Sequence, residues 1–297
     1  MACSKLILPV FGLHFFHQTL KEKPAETIRV MTWNVHGLGI YDRPRDKSVP
    51  KKMLKLINAH NPDILCLIEF YTDIKNGFEP HGNEFVKEGA FREYRFSWDN
   101  TLGKAIFVGT AIFSKYPLSN FKTTQISKAI KLVQCDIELP GNVKTRGFFV
   151  HLQSFYLSEK DKKKLEEIKN TGKFEENLPY SKTVANKFLV NYKLRAQQAD
   201  KVVAVIAQSP YPVLVCADLN DQPMSYTYST IKGELVDVFA KKGRGFGRTY
   251  NLLSPTLRID HIFYNPTQLK ILDCQIPKTT LSDHNPVVAT FQMRKPK

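Results

Sequence analysis

Apolar residues recur along the chain in two different periods, and these periods predict the order of its elements. Short runs rich in apolar and β-branched residues predict strands, whereas apolar residues three or four positions apart predict helices. Strands are predicted at IRVMTWNV (28–35), DILCLIEF (63–70), YRFSW, AIFVGTAIFS, IKLVQCDIEL, RGFFVHLQSF, YPVLVCADLN, RIDHIFYN, LKILDCQI and NPVVATF, and helices over 49–60 and 181–207. Many strands with few helices between them indicate an α/β fold in which two sheets pack face to face with helices outside.

A single domain is the simplest organisation for most of the chain. Its 297 residues could form one large domain or two small ones, but no internal repeat or low-complexity stretch divides the sequence. We predict an apolar and charged extension over residues 1–27 and one domain over residues 28–297. The apolar stretch LILPVFGLHFF (6–16) is interrupted by Pro9 and Gly12 and is too short to cross a bilayer as a helix. We expect a loosely attached arm, with a remnant of a longer, membrane-proximal segment as the alternative.

The charge of the chain narrows the class of its partners. Lys and Arg number 43 against 28 Asp and Glu, so the formal net charge is +15. Such a surplus favours a polyanionic partner, either nucleic acid or an anionic membrane surface. Part of it is concentrated in KKGRGFGR (241–248) and in the C-terminal RKPK. The charged insert SEKDKKKLEEIKNTGKFEENLPY (158–180) is predicted to form an exposed helix and loop.

The cysteines indicate a reducing compartment. The chain has five of them, an odd number without a CxxC motif, and four lie in predicted strands: Cys66, Cys135, Cys216 and Cys274. We therefore expect buried, reduced thiols and no disulfide framework. This pattern favours a cytoplasmic location, with membrane association as the alternative if the apolar N-terminus belongs to a longer segment.

Polar side chains follow one predicted strand after another, at the points where a rigid sheet projects side chains into a shared cleft. Taken singly, such a residue is often a turn cap, a first solvated position or a buried histidine satisfied by its neighbours. The chain has eight of them in succession: Asn34, Glu69, His151, Asp218, Asn220, Asp260, Asp283 and His284. So many are improbable as independent accidents, and we predict that they form one site.

The motifs around these residues resemble a known family. In order, TWNVHG, CLIEF, GTAIFSKYPL, FVHLQS, VCADLNDQP, RIDHIFY and LSDHNPV are similar to the motif series of the endonuclease/exonuclease/phosphatase superfamily, which includes deoxyribonuclease I and neutral sphingomyelinases. The resemblance covers about residues 28–293. It implies a deoxyribonuclease I-like four-layer α/β sandwich, with two packed mixed β-sheets flanked by helices. It also implies hydrolysis of phosphoesters with a divalent metal, Mg²⁺ or alternatively Mn²⁺.

The resemblance assigns a metal site. Glu69 is the expected main ligand, Asp283 contributes directly or through water, and Asn34 lies close by and also contacts substrate. Mg²⁺ is a hard ion that prefers carboxylate oxygens and keeps most of its waters. A metal so held would bind a phosphate oxygen and offset the charge that develops during displacement.

The resemblance also assigns the acid–base residues. His284 is expected to act on the phosphate as a general acid or base, with Asp260 hydrogen-bonded to it and raising its pKa. Asp218 is expected to orient or deprotonate the attacking water, and Asn220 to donate hydrogen bonds to the phosphate or to that water. His151 matches a histidine that contacts phosphate in the deoxyribonuclease and sphingomyelinase branches.

Two positions depart from the family pattern. Ile68 stands where the family often has glutamine before the metal-binding glutamate, and Ala217 takes the place of the usual glycine before Asp218. Neither change removes a catalytic group. Both indicate a divergent branch whose substrate cannot be copied from a relative.

The residues leave several substrates open. The surplus of positive charge favours a nuclease, most simply an endonuclease, with nucleic acid as its partner. The apolar arm, His151 and cationic attraction to lipid favour a phospholipid or sphingomyelin phosphodiesterase at a membrane surface. A small-molecule phosphatase ranks third. A non-enzymatic binding module ranks last, because every expected metal and histidine position is filled. Family habit predicts a monomer.

Overall fold

Two mixed six-stranded β-sheets stack face to face, and helices cover their outer faces. The predicted four-layer α/β sandwich is confirmed. The computed structural model describes residues 12–13, 20, 22–42, 44–73, 80–103, 105–154, 178–251 and 256–294. Most of the predicted charged insert therefore lies outside the described residues. Among the helices of the described part, none is long and apolar enough to cross a bilayer.

The elements follow the predicted order, with several additions. The strands are β1 Gly12–Leu13, β2 Thr27–Asn34, β3 Ile64–Asp73, β4 Glu93–Leu102, β5 Ile106–Ser114, β6 Leu118–Ser127, β7 Ile130–Leu139, β8 Val143–His151, β9 Val213–Asp218, β10 Val236–Asp237, β11 Arg244–Gly245, β12 Asp260–Tyr264, β13 Leu269–Gln275 and β14 Val287–Met293. The helices are α1 Val49–His60, α2 Pro80–Glu88, α3 Leu178–Ile206, α4 Tyr226–Lys232 and α5 Val238–Lys242, and a 3₁₀ turn covers His36–Gly39. The pattern of apolar residues misses β6, an edge strand whose side chains are mostly exposed, and α2, which opens on a proline.

Each sheet has one parallel pair of strands at its centre, and these pairs position the candidate site. Sheet one has the order β13-β14-β2-β3-β5-β4, and sheet two has the order β10-β12-β9-β8-β7-β6. Strand β2 runs parallel to β3, and β8 runs parallel to β9. The other neighbours within both sheets are antiparallel. Because parallel strands end at the same edge, each central pair carries its last residues to one end of the sandwich.

The main core lies between the two sheets, and a further cluster lies under each helical layer. On the outer face of sheet one, Met53, Leu54 and Ile57 of α1 are buried. On the outer face of sheet two, Ala199 and Val202 of α3 are buried. The spacing of three and four positions that predicts these helices is therefore the spacing of the side chains that hold them to the sheets.

The four cysteines in predicted strands are buried and unpaired, as the sequence predicts. Burial raises the pKa of the Cys66 and Cys135 thiols to about 12. A thiol with so high a pKa is almost entirely protonated near neutral pH and is a poor nucleophile. These cysteines therefore contribute packing rather than chemistry.

Part of the N-terminal extension is attached to the domain by backbone pairing. Strand β1 is antiparallel to β11, with Gly12 opposite Gly245 and Leu13 opposite Arg244. Nearer the domain, the backbone N–H of Leu20 donates to Asp273 Oδ2 at 3.0 Å. The remaining residues of the apolar stretch lie outside the described part, and the division of the chain after residue 27 stays a prediction.

A buried ion pair links the outer end of sheet two to α5. Arg258 Nη1 donates to Asp237 Oδ2 at 2.6 Å, and the Tyr228 hydroxyl donates to the same oxygen at 2.7 Å. The guanidinium also lies 4.7 Å from the centre of the Phe239 ring. Burial by itself would raise the pKa of Asp237, but Arg258 and His261 lower it well below its ordinary value.

Replacing Arg258 with methionine is expected to lower the free energy of unfolding by about 3–5 kcal/mol, because Asp237 would be left as a buried charge without its partner. Urea unfolding followed by circular dichroism measures this change. The matched control is Lys55→Met, which removes one positive charge from an exposed position on α1. If the free energy of unfolding falls by less than about 1 kcal/mol, the usual contribution of a surface ion pair, the buried pair is not needed for stability.

Candidate active site

The predicted site residues converge where the central strands of the two sheets end. Asn34 is the last residue of β2, and His151 and Asp218 are the last residues of β8 and β9. The sheet register places Asp218 between His151 on one side and Asp260 on the other. Asp260 opens β12 rather than ending it, and it reaches the same edge because β12 is antiparallel to β9. The prediction that each polar site residue follows the end of a strand is therefore wrong for Asp260, which begins its strand.

Glu69 also departs from the expected position at the end of a strand. Strand β3 continues to Asp73, and Glu69 lies inside it, where the pairing with β5 shifts register between Leu67 and Phe70. Its φ of 53° is left-handed, which costs a non-glycine residue of order 1–3 kcal/mol. The bulge re-aims the side chain relative to the regular alternation of the strand. His36 and Asn220 have left-handed φ values as well.

A buried triad of charged groups forms the inner half of the site. His284 Nδ1 lies 2.8 Å from Asp260 Oδ2 and 3.9 Å from Asp218 Oδ2. The backbone of His284 is fixed on two sides, since its carbonyl accepts from Trp33 Nε1 at 2.8 Å and its N–H donates to Ser282 Oγ at 3.1 Å. Because Nδ1 is held by Asp260, Nε2 is the ring nitrogen left for proton transfer.

The electrostatics of this triad separate an acid from a base. Burial and the negative charge of Asp260 raise the pKa of Asp218 to about 6, against the opposing effect of His284. Burial opposes protonation of His284, but the charges of Asp260 and Asp218 outweigh it and raise the pKa of His284 to about 10. Near neutral pH the arrangement therefore offers a carboxylate that accepts a proton beside an imidazolium that donates one.

This separation predicts a bell-shaped pH dependence for phosphodiester hydrolysis. We expect kcat/KM to rise as the pH passes the pKa of Asp218, near 6, and to fall as it passes the pKa of His284, near 10. The variant Asp260→Asn removes a negative charge that favours the imidazolium, so the upper limb should move to lower pH. Hydrolysis of bis-p-nitrophenyl phosphate across this range measures both limbs. An upper limb that stays in place in Asp260→Asn would contradict the assignment.

Two half-exposed carboxylates form the outer part of the site. His36 Nδ1 lies 3.9 Å from Glu69 Oε2 and 3.6 Å from Asp283 Oδ1. Asn34 joins the outer part to the triad, because its Nδ2 donates to Glu69 Oε1 at 3.1 Å and to Asp218 Oδ2 at 3.0 Å. Its Oδ1 accepts from the backbone N–H of His36 at 3.0 Å.

His151 and Asn220 border the same carboxylates. His151 Nε2 lies 3.8 Å from Glu69 Oε1 and 3.7 Å from Asp218 Oδ2. The backbone N–H of Asn220 donates to Asp218 Oδ1 at 2.9 Å, and its Nδ2 donates to the carbonyl of Leu152 at 3.0 Å. In this arrangement Asn220 fixes Asp218, and its predicted contact with phosphate stays a prediction.

The residues present fit a divalent cation. Glu69 and Asp283 supply hard oxygen donors at a half-exposed position, where Mg²⁺ can keep most of its waters. The triad is a second candidate, since ligand atoms of Asp218, Asp260 and His284 lie within 4.8 Å of one another. Asp260 Oδ1 is also buried without a hydrogen-bond partner among the described residues. The outer pair suits Mg²⁺ better, because the triad is buried and already internally hydrogen-bonded.

Sequence reasoning misses two residues of the site. His36 follows Asn34 closely in the motif TWNVHG, but the pattern of residues there assigns it no role. Asp99 lies within β4, where no sequence signal marks it. Burial raises the pKa of Asp99 to about 6, against the opposing charges of His151 and Lys131. Only the packing of β4 against the neighbouring sheet reveals that this carboxyl faces His151.

The comparison with protein families decides the family of the chain. A sequence profile described as the Endonuclease/Exonuclease/phosphatase family matches residues 31–284. The chain belongs to this family. The match confirms the resemblance of the motifs to this family. Members of the endonuclease/exonuclease/phosphatase family are phosphoester hydrolases and generally depend on a divalent metal. No sequence among curated proteins matches the chain.

Solved structures of the endonuclease/exonuclease/phosphatase family share the fold at low sequence identity. A family member from Beutenbergia cavernae has a TM-score of 0.65 at 17% identity, covering 90% of this chain and 72% of that one. The catalytic domain of human Nocturnin with bound sulfate has a TM-score of 0.62 at 17% identity, covering 94% and 98%. A mannosyl-6-phosphatase from Bacteroides thetaiotaomicron has a TM-score of 0.58 at 15% identity, covering 90% and 100%. At such identities the likeness shows the fold alone.

Proposed function

We propose that this protein is a divalent-metal-dependent phosphodiester hydrolase, and most simply an endonuclease. The observation that carries the proposal is the hydrogen bond between His284 and Asp260 beside the buried Asp218, with Glu69 and Asp283 at the mouth of the same site. This arrangement supplies an acid, a base and a place for a cation side by side. The proposed metal is Mg²⁺, with Mn²⁺ as a substitute.

The proposed reaction is direct attack of water on phosphorus. Asp218 orients the water and accepts one of its protons as the new P–O bond forms. The bond from phosphorus to the leaving oxygen breaks, and His284 donates a proton to that oxygen. His151 lies beside both carboxylates and binds a phosphate oxygen, whereas Asn34 reaches the phosphate only by giving up its hydrogen bond to Glu69 or to Asp218. Glu69 and Asp283 would hold the metal, which would supply positive charge that offsets the negative charge developing on the phosphate.

The size and charge of the cleft favour a large polyanionic substrate. A cleft of about 1560 Å³ adjoins the outer part of the site: its lining includes His36 and Asp283 together with Arg244, Arg248 and Lys278, but not the buried triad. Small-molecule sites are about 300–1,000 Å³, so this cleft exceeds what a sugar phosphate needs. A nucleic acid extending from the reacting phosphate would place neighbouring phosphates along these basic residues. We propose that the protein acts as a monomer.

Nicking of supercoiled plasmid in Mg²⁺ tests the proposal, with EDTA and the variant His284→Ala as paired controls. Cleavage that is lost in both controls supports a metal-dependent nuclease that uses this site. Cleavage that persists in His284→Ala overturns the assignment of the site. No cleavage at all, with bis-p-nitrophenyl phosphate still hydrolysed, overturns the choice of nucleic acid but keeps the reaction.

A second candidate substrate is the headgroup phosphodiester of a membrane lipid. It is favoured by the pairing of the apolar N-terminal segment with β11, since β11 lines the same cleft. Release of labelled phosphocholine from sphingomyelin vesicles, lost in His284→Ala, would support this substrate in place of nucleic acid.

A further inference from the structure

His36 reaches the outer carboxylates from a tight, left-handed turn. Its φ is 45°, and the three residues that follow also have positive φ values: Gly37, Leu38 and Gly39. A left-handed backbone costs a non-glycine residue of order 1–3 kcal/mol, and such strain is concentrated where a side chain is held for function. The turn has no spare room, since a Cβ atom on Gly37 would lie 2.7 Å from the Tyr41 ring.

Packing and a backbone contact fix the imidazole of His36 between the two carboxylates. The edge of the ring meets the Tyr41 ring, with 5.1 Å between their centres, and the backbone N–H of His36 donates to Asn34 Oδ1 at 3.0 Å. His36 Nδ1 lies 3.6 Å from Asp283 Oδ1 and 3.9 Å from Glu69 Oε2. Both separations are too long for a hydrogen bond. Nδ1 is therefore held near two oxygen donors without being bonded to either.

These separations suit donor atoms that share one metal ion. Mg²⁺ and first-row transition ions bind nitrogen and oxygen at about 2.0–2.2 Å, so two ligand atoms on one octahedral ion lie about 2.8–4.4 Å apart. Among the described residues, the group of three whose ligand atoms already lie within 4.8 Å of one another is the triad. Glu69 and Asp283 would therefore draw together around an ion, and their side chains, 26% and 19% exposed, have room to do so.

The two oxygens of Glu69 face different parts of the site. Oε1 accepts from Asn34 Nδ2 at 3.1 Å and lies 3.8 Å from His151 Nε2. Oε2 faces His36 instead. Because Oε1 already has a hydrogen bond, Oε2 is the oxygen left for a cation. The cation would therefore lie on the side of His36 rather than on the side of His151.

We propose that His36 is a nitrogen ligand of the cation held by Glu69 and Asp283, and that it makes this site prefer a first-row transition ion to Mg²⁺. The inference rests on the proposed function and adds a third ligand to its metal site. Carboxylate and water suit Mg²⁺, whereas imidazole suits transition ions. Mn²⁺ binds most weakly in the first-row series, so a preference for Mn²⁺ over Mg²⁺ is the strictest form of the proposal.

Pulsed electron paramagnetic resonance of Mn²⁺ bound to the full chain tests the proposal, because a directly coordinated imidazole nitrogen adds a ¹⁴N coupling to the spectrum. No substrate is present, so the readout does not depend on turnover. We expect this coupling in the parent protein and its loss in His36→Asn. Asparagine tolerates the left-handed backbone and offers an oxygen in place of the nitrogen. His36→Gly, which removes the strain as well as the ligand, is a second variant with the same expected loss.

The matched control is His151→Asn. His151 Nε2 lies 3.8 Å from Glu69 Oε1, about as close to this carboxylate as His36 Nδ1, but on its inner side. The ¹⁴N coupling should therefore persist in His151→Asn. Thermal unfolding checks that every variant is folded.

Displacement of bound Mn²⁺ by Mg²⁺ measures the preference. In the parent protein Mn²⁺ should bind about 10-fold or more tightly than Mg²⁺. The variant His36→Asn should weaken Mn²⁺ binding about 10–100-fold, the range found when groups around a metal are altered. It should weaken Mg²⁺ binding much less, because the amide oxygen that replaces the imidazole is a donor that Mg²⁺ accepts.

The possible results separate this proposal from the proposed function. Bound Mn²⁺ without a ¹⁴N coupling in the parent protein would overturn the role of His36 and leave the hydrolase its cation. A coupling that persists in His36→Asn but is lost in His151→Asn or His284→Ala would overturn it in favour of the inner part of the site. Tighter Mn²⁺ binding in His36→Asn would show that the imidazole competes with the cation. No Mn²⁺ binding at all would overturn both, and plasmid nicking with EDTA tests the metal dependence separately.

Discussion

Replacing His284 with alanine is expected to lower kcat for phosphodiester hydrolysis about 10³-fold, the middle of the range for a general acid–base residue. The reason is the position of the imidazole, which is held through Nδ1 by Asp260 at 2.8 Å and by two backbone hydrogen bonds. The raised pKa of His284 keeps the ring protonated across the neutral range. Without the imidazolium of His284, the leaving oxygen would depart unprotonated. Asp218 would also lose the neighbouring positive charge that lowers its pKa.

The measurement is the initial rate on bis-p-nitrophenyl phosphate and on a phosphodiester with a poorer leaving group. A poor leaving group needs protonation more, so the loss should be larger for it if His284 is the acid. The control is His81→Ala, since His81 lies on α2 and contacts Tyr71 at 2.8 Å and Glu84 at 3.7 Å rather than a residue of the triad. Equal losses on the two substrates would instead indicate that His284 binds the phosphate electrostatically.

Replacing Glu69 with glutamine is expected to weaken divalent-metal binding about 10²-fold or more, because it removes a charged ligand at a site where altered supporting groups alone cost 10–100-fold. Glutamine keeps the size of the side chain and an oxygen that can accept from Asn34 Nδ2. The Glu69→Gln substitution therefore tests the negative charge of Glu69 and leaves the packing nearly unaltered. Activity at a fixed Mg²⁺ concentration should fall in parallel and should recover in part at higher concentration.

Binding of Mn²⁺ followed by electron paramagnetic resonance gives a readout that does not depend on turnover. The informative comparison is Asp218→Asn, which alters the buried triad while leaving Glu69 and Asp283 in place. Loss of Mn²⁺ binding in Glu69→Gln with retention in Asp218→Asn supports the outer pair as the metal site. The reverse result would place the metal in the triad, whose ligand atoms are also close enough to bind one.

Much of the fold could be predicted from the sequence because the relevant forces are local. Helix α1 has its predicted bounds, since the spacing of Met53, Leu54 and Ile57 both defines the helix and buries it. Strand β9 is a continuous apolar run up to Ala217 because it is buried on both faces. Strand β6 escapes prediction for the opposite reason, since an edge strand with exposed side chains has no apolar run to mark it.

The site, like the fold, has features that could be predicted from the sequence and features that could not. The residue types, and the pairs that are close in sequence such as Asp283 with His284, could be named from the motifs. Glu69 could be named too, but its position within a bulge could not, because a bulge is set by the register of β3 against β5. His36 and Asp99 were missed because their importance arises from side chains that lie far away along the chain.

By itself, the sequence determined the α/β class, the order of most elements, the reduced core cysteines and the types of residue that could carry phosphoester chemistry. These depend on periodicity and on the chemistry of single side chains. The motif resemblance already implied that Asp260 holds His284, and the 2.8 Å contact agrees with it. Only the tertiary structure decided that Asn34 joins the two groups of carboxylates and that the N-terminal segment pairs beside the cleft. Distances between residues remote in sequence, and pKa values set by burial, exist only once the two sheets have packed.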